Sequence, residues 1–187
     1  MAKENPGSRE DLLLAVRKGF RPHYLFFWGH KPLPNGELGT SCFSQWWPAT
    51  FRVDGINYPT AEHYMMAEKA RLFQDEVGRK QILSAGSPKA AKQLGRTVKS
   101  FKDDIWLESR FQIVVRGNYA KFSQNRELRA FLVRTGSKVL VEASPVDRIW
   151  GIGLGQGDKR ATNPELWPGL NLLGFALMQV RQRLAEE

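Results

Sequence analysis

The strongest constraint on the fold is the punctuation between residues 59 and 134, where cap residues and breakers cut the chain into successive helix-length segments. Pro59 keeps the preceding chain extended and Thr60 offers a capping hydroxyl. A helix is therefore expected through Glu62, His63, Tyr64, Met65, Met66, Glu68, Lys69 and Leu72. A second helix is expected over 75–84. A third opens at Ser87-Pro88, with serine as cap and proline in the first turn, and closes at Gly95. Residues 103–119 and 125–134 read as two more, with Asp103 and Asn125 as caps. Toward the chain ends, Ser8 caps a short helix from Arg9 to Lys18 that Gly19 ends, and Leu172 to Leu184 is a final amphipathic helix.

The β content is small. Tyr24-Leu25-Phe26-Phe27-Trp28 reads as a strand, and Lys138 to Glu142 as a short β-prone run. Phe51 to Tyr58 reads as a tight hairpin, because Asp54-Gly55 tolerates the positive φ angles of a two-residue turn. Residues 31–41 and 144–170 are rich in Gly and Pro and form loops, the second long enough to suggest function. Without an internal repeat or a linker, the expectation is a peripheral segment over 1–22 and one domain over 23–187.

Composition narrows the partners. With 42% hydrophobic residues, six Trp and eleven Phe, a folded core is expected. No apolar stretch approaches the roughly 20 residues of a membrane helix, so no membrane partner is expected. Leu12 to Val16 is too short for a signal-peptide core and follows Asp11, where positive charge would stand. A lone Cys42 gives no intrachain disulfide and fits a reducing cytosol, so a cytoplasmic location is expected. The net charge of +9 favours phosphorylated or polyanionic ligands, or is a solvated basic surface. It is spread along the chain without a long block, which argues against a basic tail and leaves a phosphate pocket open.

Several common chemistries lack their residues. His23, His30 and His63 are scattered and Cys42 has no soft ligand near it in sequence, so no metal is expected. Gly151-Ile152-Gly153-Leu154-Gly155-Gln156-Gly157 fails the dinucleotide pattern in both registers, because Gln156 and Asp158 stand where the third glycine is needed. There is no P-loop and no nucleophile elbow. No cofactor is expected, and the chemistry falls to carboxylates, lysine and aromatics.

Glu62 and Lys69 are seven residues apart, which puts them on one helix face about 10 Å apart along the axis. With Met65, Met66 and Leu72 near that stripe, desolvation can shift both groups. The other reading is an ordinary amphipathic helix with polar groups at its edge. Phe43-Ser44-Gln45-Trp46-Trp47-Pro48 offers flat rings for stacking on a planar base, or for core packing. Asp147, at the start of the Gly-rich loop, is either a turn cap or a catalytic carboxylate. Lys121 and Ser123 are phosphate contacts or solvated helix residues.

Taken in order, these segments resemble the NADAR family, also called YbiA-like. The resemblance is carried by Phe27-Trp28-Gly29-His30, Phe43-Ser44-Gln45-Trp46-Trp47-Pro48, Tyr58-Pro59-Thr60-Ala61-Glu62-His63-Tyr64 and Lys69. It continues through Lys121-Phe122, Asp147-Arg148-Ile149-Trp150-Gly151 and Asn171-Leu172-Leu173-Gly174. Gln45-Trp46 stands where many relatives carry Asn-Phe. The resemblance implies a mainly α (α+β) fold, a compact YbiA-like orthogonal helical bundle with a small β-hairpin or sheet portion. It also implies an N-glycosidase. Glu62, Lys69 and Asp147 fall on the positions expected to be catalytic, and Trp46 or Trp47 and Trp150 on those lining the pocket. Trp28, Gly29, Ser44, His63, Tyr64, Lys121 and Gly151, in the matching pieces, complete the expected substrate-binding set, with Arg96 as a phosphate contact.

The substrate implied is a small phosphoribosyl molecule, a phosphoribosylamino-pyrimidine intermediate of riboflavin biosynthesis. An ADP-ribosyl group on guanine, with modified nucleic acid as partner, is the alternative. The residue types then suggest that Lys69 forms an imine with the anomeric carbon while Glu62 shuttles protons and Asp147 steadies positive charge. Direct attack by water, with Glu62 and Asp147 as a glycosidase-like pair, is the rival route. A non-enzymatic nucleic-acid-binding module, using Trp stacking and basic charge, is the reading from another class. The Glu62 and Lys69 pair disfavours it.

Overall fold

The computed structural model describes residues 6–187. Its helices are α1 (Arg9–Arg17), α2 (Ala61–Leu72), α3 (Glu76–Leu83), α4 (Pro88–Gly95), α5 (Asp103–Gln124), α6 (Arg126–Val133) and α7 (Leu172–Glu186). Its strands are β1 (Tyr24–Phe27), β2 (Phe51–Val53), β3 (Ile56–Tyr58) and β4 (Val139–Glu142). The mainly helical expectation therefore holds. No described helix is long and apolar enough to cross a membrane. The contacts sort into two compact units, one of Gln45–Arg129 and one of the described residues up to Ser44 with Ala130–Glu187.

Cap chemistry explains most helix starts. Ser8, Thr60, Asp75 and Ser87 each accept a hydrogen bond from a first-turn N–H, of Asp11, His63, Gly78 and Ala90 respectively. One expected cap is corrected. Asp103 lies inside the first turn of α5, where its charge meets the positive end of the helix dipole, and the N-cap is Lys102 with no side-chain bond. Asn125 stands at the junction as expected: its carbonyl accepts the Arg129 N–H and opens α6, while its side-chain amide donates to the carbonyls of Lys121 and Thr50 and closes α5. With that closure α5 runs on to Gln124 instead of stopping at 119.

In the Gln45–Arg129 unit, Asp54 (φ 49°) and Gly55 (φ 81°) make the two-residue turn between antiparallel β2 and β3. Gln124 extends this hairpin with a side chain. Its Oε1 accepts from Arg52 N and its Nε2 donates to Arg52 O, both at 2.8 Å. Helices α3, α4 and α5 all pack on α2. Small residues allow the close crossings: a Cβ on Gly117 would strike the Tyr64 ring, and one on Gly95 would strike Met66.

In the other unit, β1 and β4 pair in parallel with Tyr24 opposite Val139 and Phe27 opposite Glu142. The free edge of β4 is closed by Asn171, whose Oδ1 accepts from Glu142 N and whose Nδ2 donates to Leu140 O, both at 2.9 Å. Asn171 holds a left-handed φ of 56° and is wholly buried. Helix α7 follows at once, and Gly174 lets it approach the Leu140 carbonyl. Helix α1 buries Leu12 and is tied by Arg9, which donates to the carbonyls of Pro164 and Glu165. The 144–170 segment contains two 3-10 turns, Lys159–Thr162 and Pro164–Leu166, and anchors itself through Trp167, whose indole donates to Ala161 O at 2.8 Å.

Two stability outcomes follow from these contacts. Asn171→Ala strands two backbone groups and puts a Cβ residue at positive φ without a compensating amide. It should cost about 2–4 kcal/mol, read as a lower urea midpoint. Gly117→Ala should lower the Tm although alanine is the better helix former, because the Tyr64 ring has to move. An unchanged Tm would show that the crossing has slack.

Candidate active site

Helix α2 is buried on nearly every side: Ala61 through Glu68, and Ala70, are all inside. The expected amphipathic stripe is therefore only part of a helix that carries charge into the interior. Glu62 sits in its first turn at 2% exposure, its backbone N–H donating to the Gln45 carbonyl at 2.9 Å. The other buried carboxylate, Glu68, is matched by Arg71, whose Nε lies 3.0 and 3.1 Å from its two oxygens.

Lys69 is less buried and its amine is held on several sides. Nζ donates to Gly95 O at 2.8 Å and stands 4.1 Å from the centre of the Phe101 ring and 5.6 Å from that of Trp106. Gly95 ends α4, so its carbonyl is one of those left without an intrahelical partner at the negative end of the helix. Burial lowers the Lys69 pKa from the ordinary lysine value, and the charge of Asp103 opposes that shift without cancelling it. The result is a positioned amine that gives up its proton more easily than a solvated lysine.

Other expected residues of this unit have internal partners. His63 Nε2 lies 3.0 Å from Ala85 O, an acceptor only, so Nε2 carries the proton and Nδ1 accepts from the Thr60 hydroxyl at 2.8 Å. Its ring thus ties α2 to the turn before α4. Tyr64 lies about 200° around α2 from Glu62 and packs on Phe51 and Tyr58, away from the Lys69 face. Lys121 is fully buried, its Nζ 5.0 Å from the centre of the Phe122 ring. Trp46 and Trp47 are both half-buried, with Lys92 Nζ 5.9 Å from the Trp46 ring centre, and Arg96 is exposed just past α4.

In the other unit, Asp147 is partly exposed and caps its own turn. Its Oδ1 accepts from the N–H groups of Ile149 and Trp150, both at 2.8 Å, and its backbone N–H donates to Ser144 Oγ. Its second oxygen takes no hydrogen bond among the described residues. Trp150 is half-buried, and Gly151 is buried with its carbonyl accepting from Asn171 N. Trp28 is 62% exposed just beyond β1, Gly29 turns the chain at φ 76°, and Ser44 is half-buried. No group of three His, Cys, Asp or Glu among the described residues is arranged to hold a metal.

Sequence reasoning missed the partners of Lys69. Phe101 and Trp106 stand more than thirty residues beyond it in the chain, and no spacing rule joins them to α2. The one available signal was the pair of aromatics flanking the start of α5.

The chain matches the family model described as NADAR domain over residues 26–185. It is 44% identical over 165 residues to N-glycosidase R617 of Acanthamoeba polyphaga mimivirus, covering 85% of this chain and 95% of that protein. With N-glycosidase YbiA of Escherichia coli (strain K12) it shares 38% identity over 141 residues, 75% of this chain and 78% of the relative. The solved NMR structure of the E. coli protein YbiA superposes with a TM-score of 0.66 at 31% identity, covering 92% of each chain. The chain therefore belongs to the NADAR domain family, and with it to the N-glycosyl hydrolases.

Proposed function

We propose that the chain hydrolyses the C–N glycosidic bond of a phosphoribosylamino-pyrimidine intermediate of riboflavin biosynthesis, releasing ribose 5-phosphate through an imine on Lys69. The observation that carries this reading is the Lys69 amine, drawn partly out of water between Gly95 O and two aromatic rings, on the same helix as the buried Glu62.

In an N-ribosylamine the anomeric carbon opens readily to an imine. The neutral Lys69 amine adds to that carbon. Glu62 delivers a proton to the pyrimidine nitrogen, which leaves as an amine, and the sugar stays on Lys69 as an imine. Water then adds with Glu62 taking its proton, and the sugar departs as the aldehyde while Lys69 recovers its amine. Asp147 is proposed, on the family resemblance, to stabilise positive charge at the carbon, and Arg96 to bind the phosphate. Trp46 or Trp47, with Trp150, is proposed to take the base.

A second reading, release of ADP-ribose from modified guanine in nucleic acid, draws support from the stretch 77–102. It carries Arg79, Lys80, Lys89, Lys92, Arg96, Lys99 and Lys102 and no acidic residue. Assaying both products on one preparation separates the two.

Glu62→Gln is expected to reduce kcat by about 10²–10⁴-fold while the chain stays folded. Borohydride added during turnover should reduce the imine and leave the sugar on Lys69 by mass. An active enzyme with no lysine labelled favours direct water attack instead. The reactive form is the unprotonated amine and burial lowers its pKa, so trapping should rise with pH, with a midpoint below the ordinary value of about 10.4. Asp147→Asn keeps the Oδ1 acceptor of its turn and removes the charge. A fall in kcat with an unchanged Tm supports the charge role, whereas a fall in Tm alone leaves Asp147 as a turn cap.

A further inference from the structure

Two side-chain amides next to the Glu62 turn are buried with part of their hydrogen-bonding capacity unused. Asn118 of α5 is wholly buried, and Gln45 is 6% exposed. Asn118 Nδ2 donates to Val114 O and to Gln45 Oε1, both at 2.9 Å. A carbonyl can only accept, so the bond to Val114 O fixes which end of the Asn118 amide is nitrogen. That nitrogen in turn requires Gln45 to present its oxygen. The remaining atoms are then defined: Gln45 Nε2 is a donor and Asn118 Oδ1 an acceptor. Both are buried, and neither has a partner among the described residues.

Buried polar atoms of native proteins are almost always paired, so two orphans on one bonded pair call for an occupant. Their position is set by the chain. The Gln45 carbonyl takes the N–H of Glu62, so the amide pair is anchored to the turn that holds this carboxylate. The next residue, Trp46, supplies a half-buried flat ring.

We propose that Gln45 and Asn118 recognise the departing base, a planar heterocycle presenting a C=O acceptor beside an N–H donor along one edge. Gln45 Nε2 donates to the ring carbonyl and Asn118 Oδ1 accepts from the neighbouring N–H, in the manner of a lactam pairing with an amide. This specificity role rests on the N-glycosidase reading above, but it makes a separate demand, that the free base bind without any sugar.

The test uses 2-aminopyrimidin-4-one, which carries such an edge, and its N3-methyl derivative, which has lost the ring N–H. Each is titrated against the full chain by NMR, with ribose 5-phosphate as control. Gln45→Glu is the informative variant, because it keeps the oxygen that Asn118 donates to and replaces only the unused donor. The unmethylated base should bind the wild type at least tenfold more tightly than the methylated one. Gln45→Glu should lose at least tenfold in base affinity while ribose 5-phosphate binds as before. Asn118→Leu should do the same if it folds. Equal binding of both bases, or no base binding, overturns the inference and leaves the amides as sites for internal water. A Gln45→Glu variant that loses base and sugar phosphate alike also overturns it, as damage to the fold. The catalytic reading is judged separately, by whether ribose 5-phosphate release survives Glu62→Gln.

Discussion

Helix α2 is enclosed on nearly all sides, and most of what is distinctive here follows from satisfying a polar helix in that position. A buried helix is ordinarily apolar all round. This one carries Glu62, His63 and Glu68 inside, and groups of that kind stay buried only when something meets them. Arg71 answers Glu68, and Thr60 with Ala85 O answers both nitrogens of His63. Lys69, at the rim, is met by a helix-end carbonyl and two rings. These partners come from α2 itself, from its cap, from the turn at Ala85 and from the end of α4.

The arrangement also separates two jobs that one stretch of sequence performs. One side of α2, through Tyr64 packed on Phe51, Tyr58 and Gly117, holds the hairpin and α5. The other presents Lys69 to Gly95, Phe101 and Trp106. A lysine among rings and a carbonyl is pulled two ways. The carbonyl and the π faces favour the ammonium, whereas loss of water favours the neutral amine, and the net shift is downward. An amine in that balance is held in place without being fixed in its protonated form.

Much of this was legible in the chain. Helix starts were, because Ser8, Thr60 and Ser87 act within three residues of themselves, and local chemistry is what a sequence displays. The Asp54-Gly55 turn was legible for the same reason. That Glu62 and Lys69 share one helix was legible from the Thr60 cap and the periodic stretch after it. The cap role given to Asp103 failed because its charge is used one position later, beside the helix dipole, whereas Asn125 opens α6 as expected and adds side-chain bonds to Lys121 and Thr50. Long-range features were not legible. Nothing local pairs Tyr24 with Val139, brings Phe101 to Lys69, or tells Asn171 to leave α7 and serve β4.

Asn171 and Gln124 share a device. Each spends a primary amide on both the N–H and the C=O of a strand's outer edge, Asn171 on β4 and Gln124 on β2. Open strand edges are where chains template one another into larger sheets. Two-stranded ribbons this short could not be protected by adding more strands without building a larger sheet. Closing an edge with one side chain keeps each ribbon small and denies a foreign strand the hydrogen bonds it would need to begin aggregation at β2 or β4.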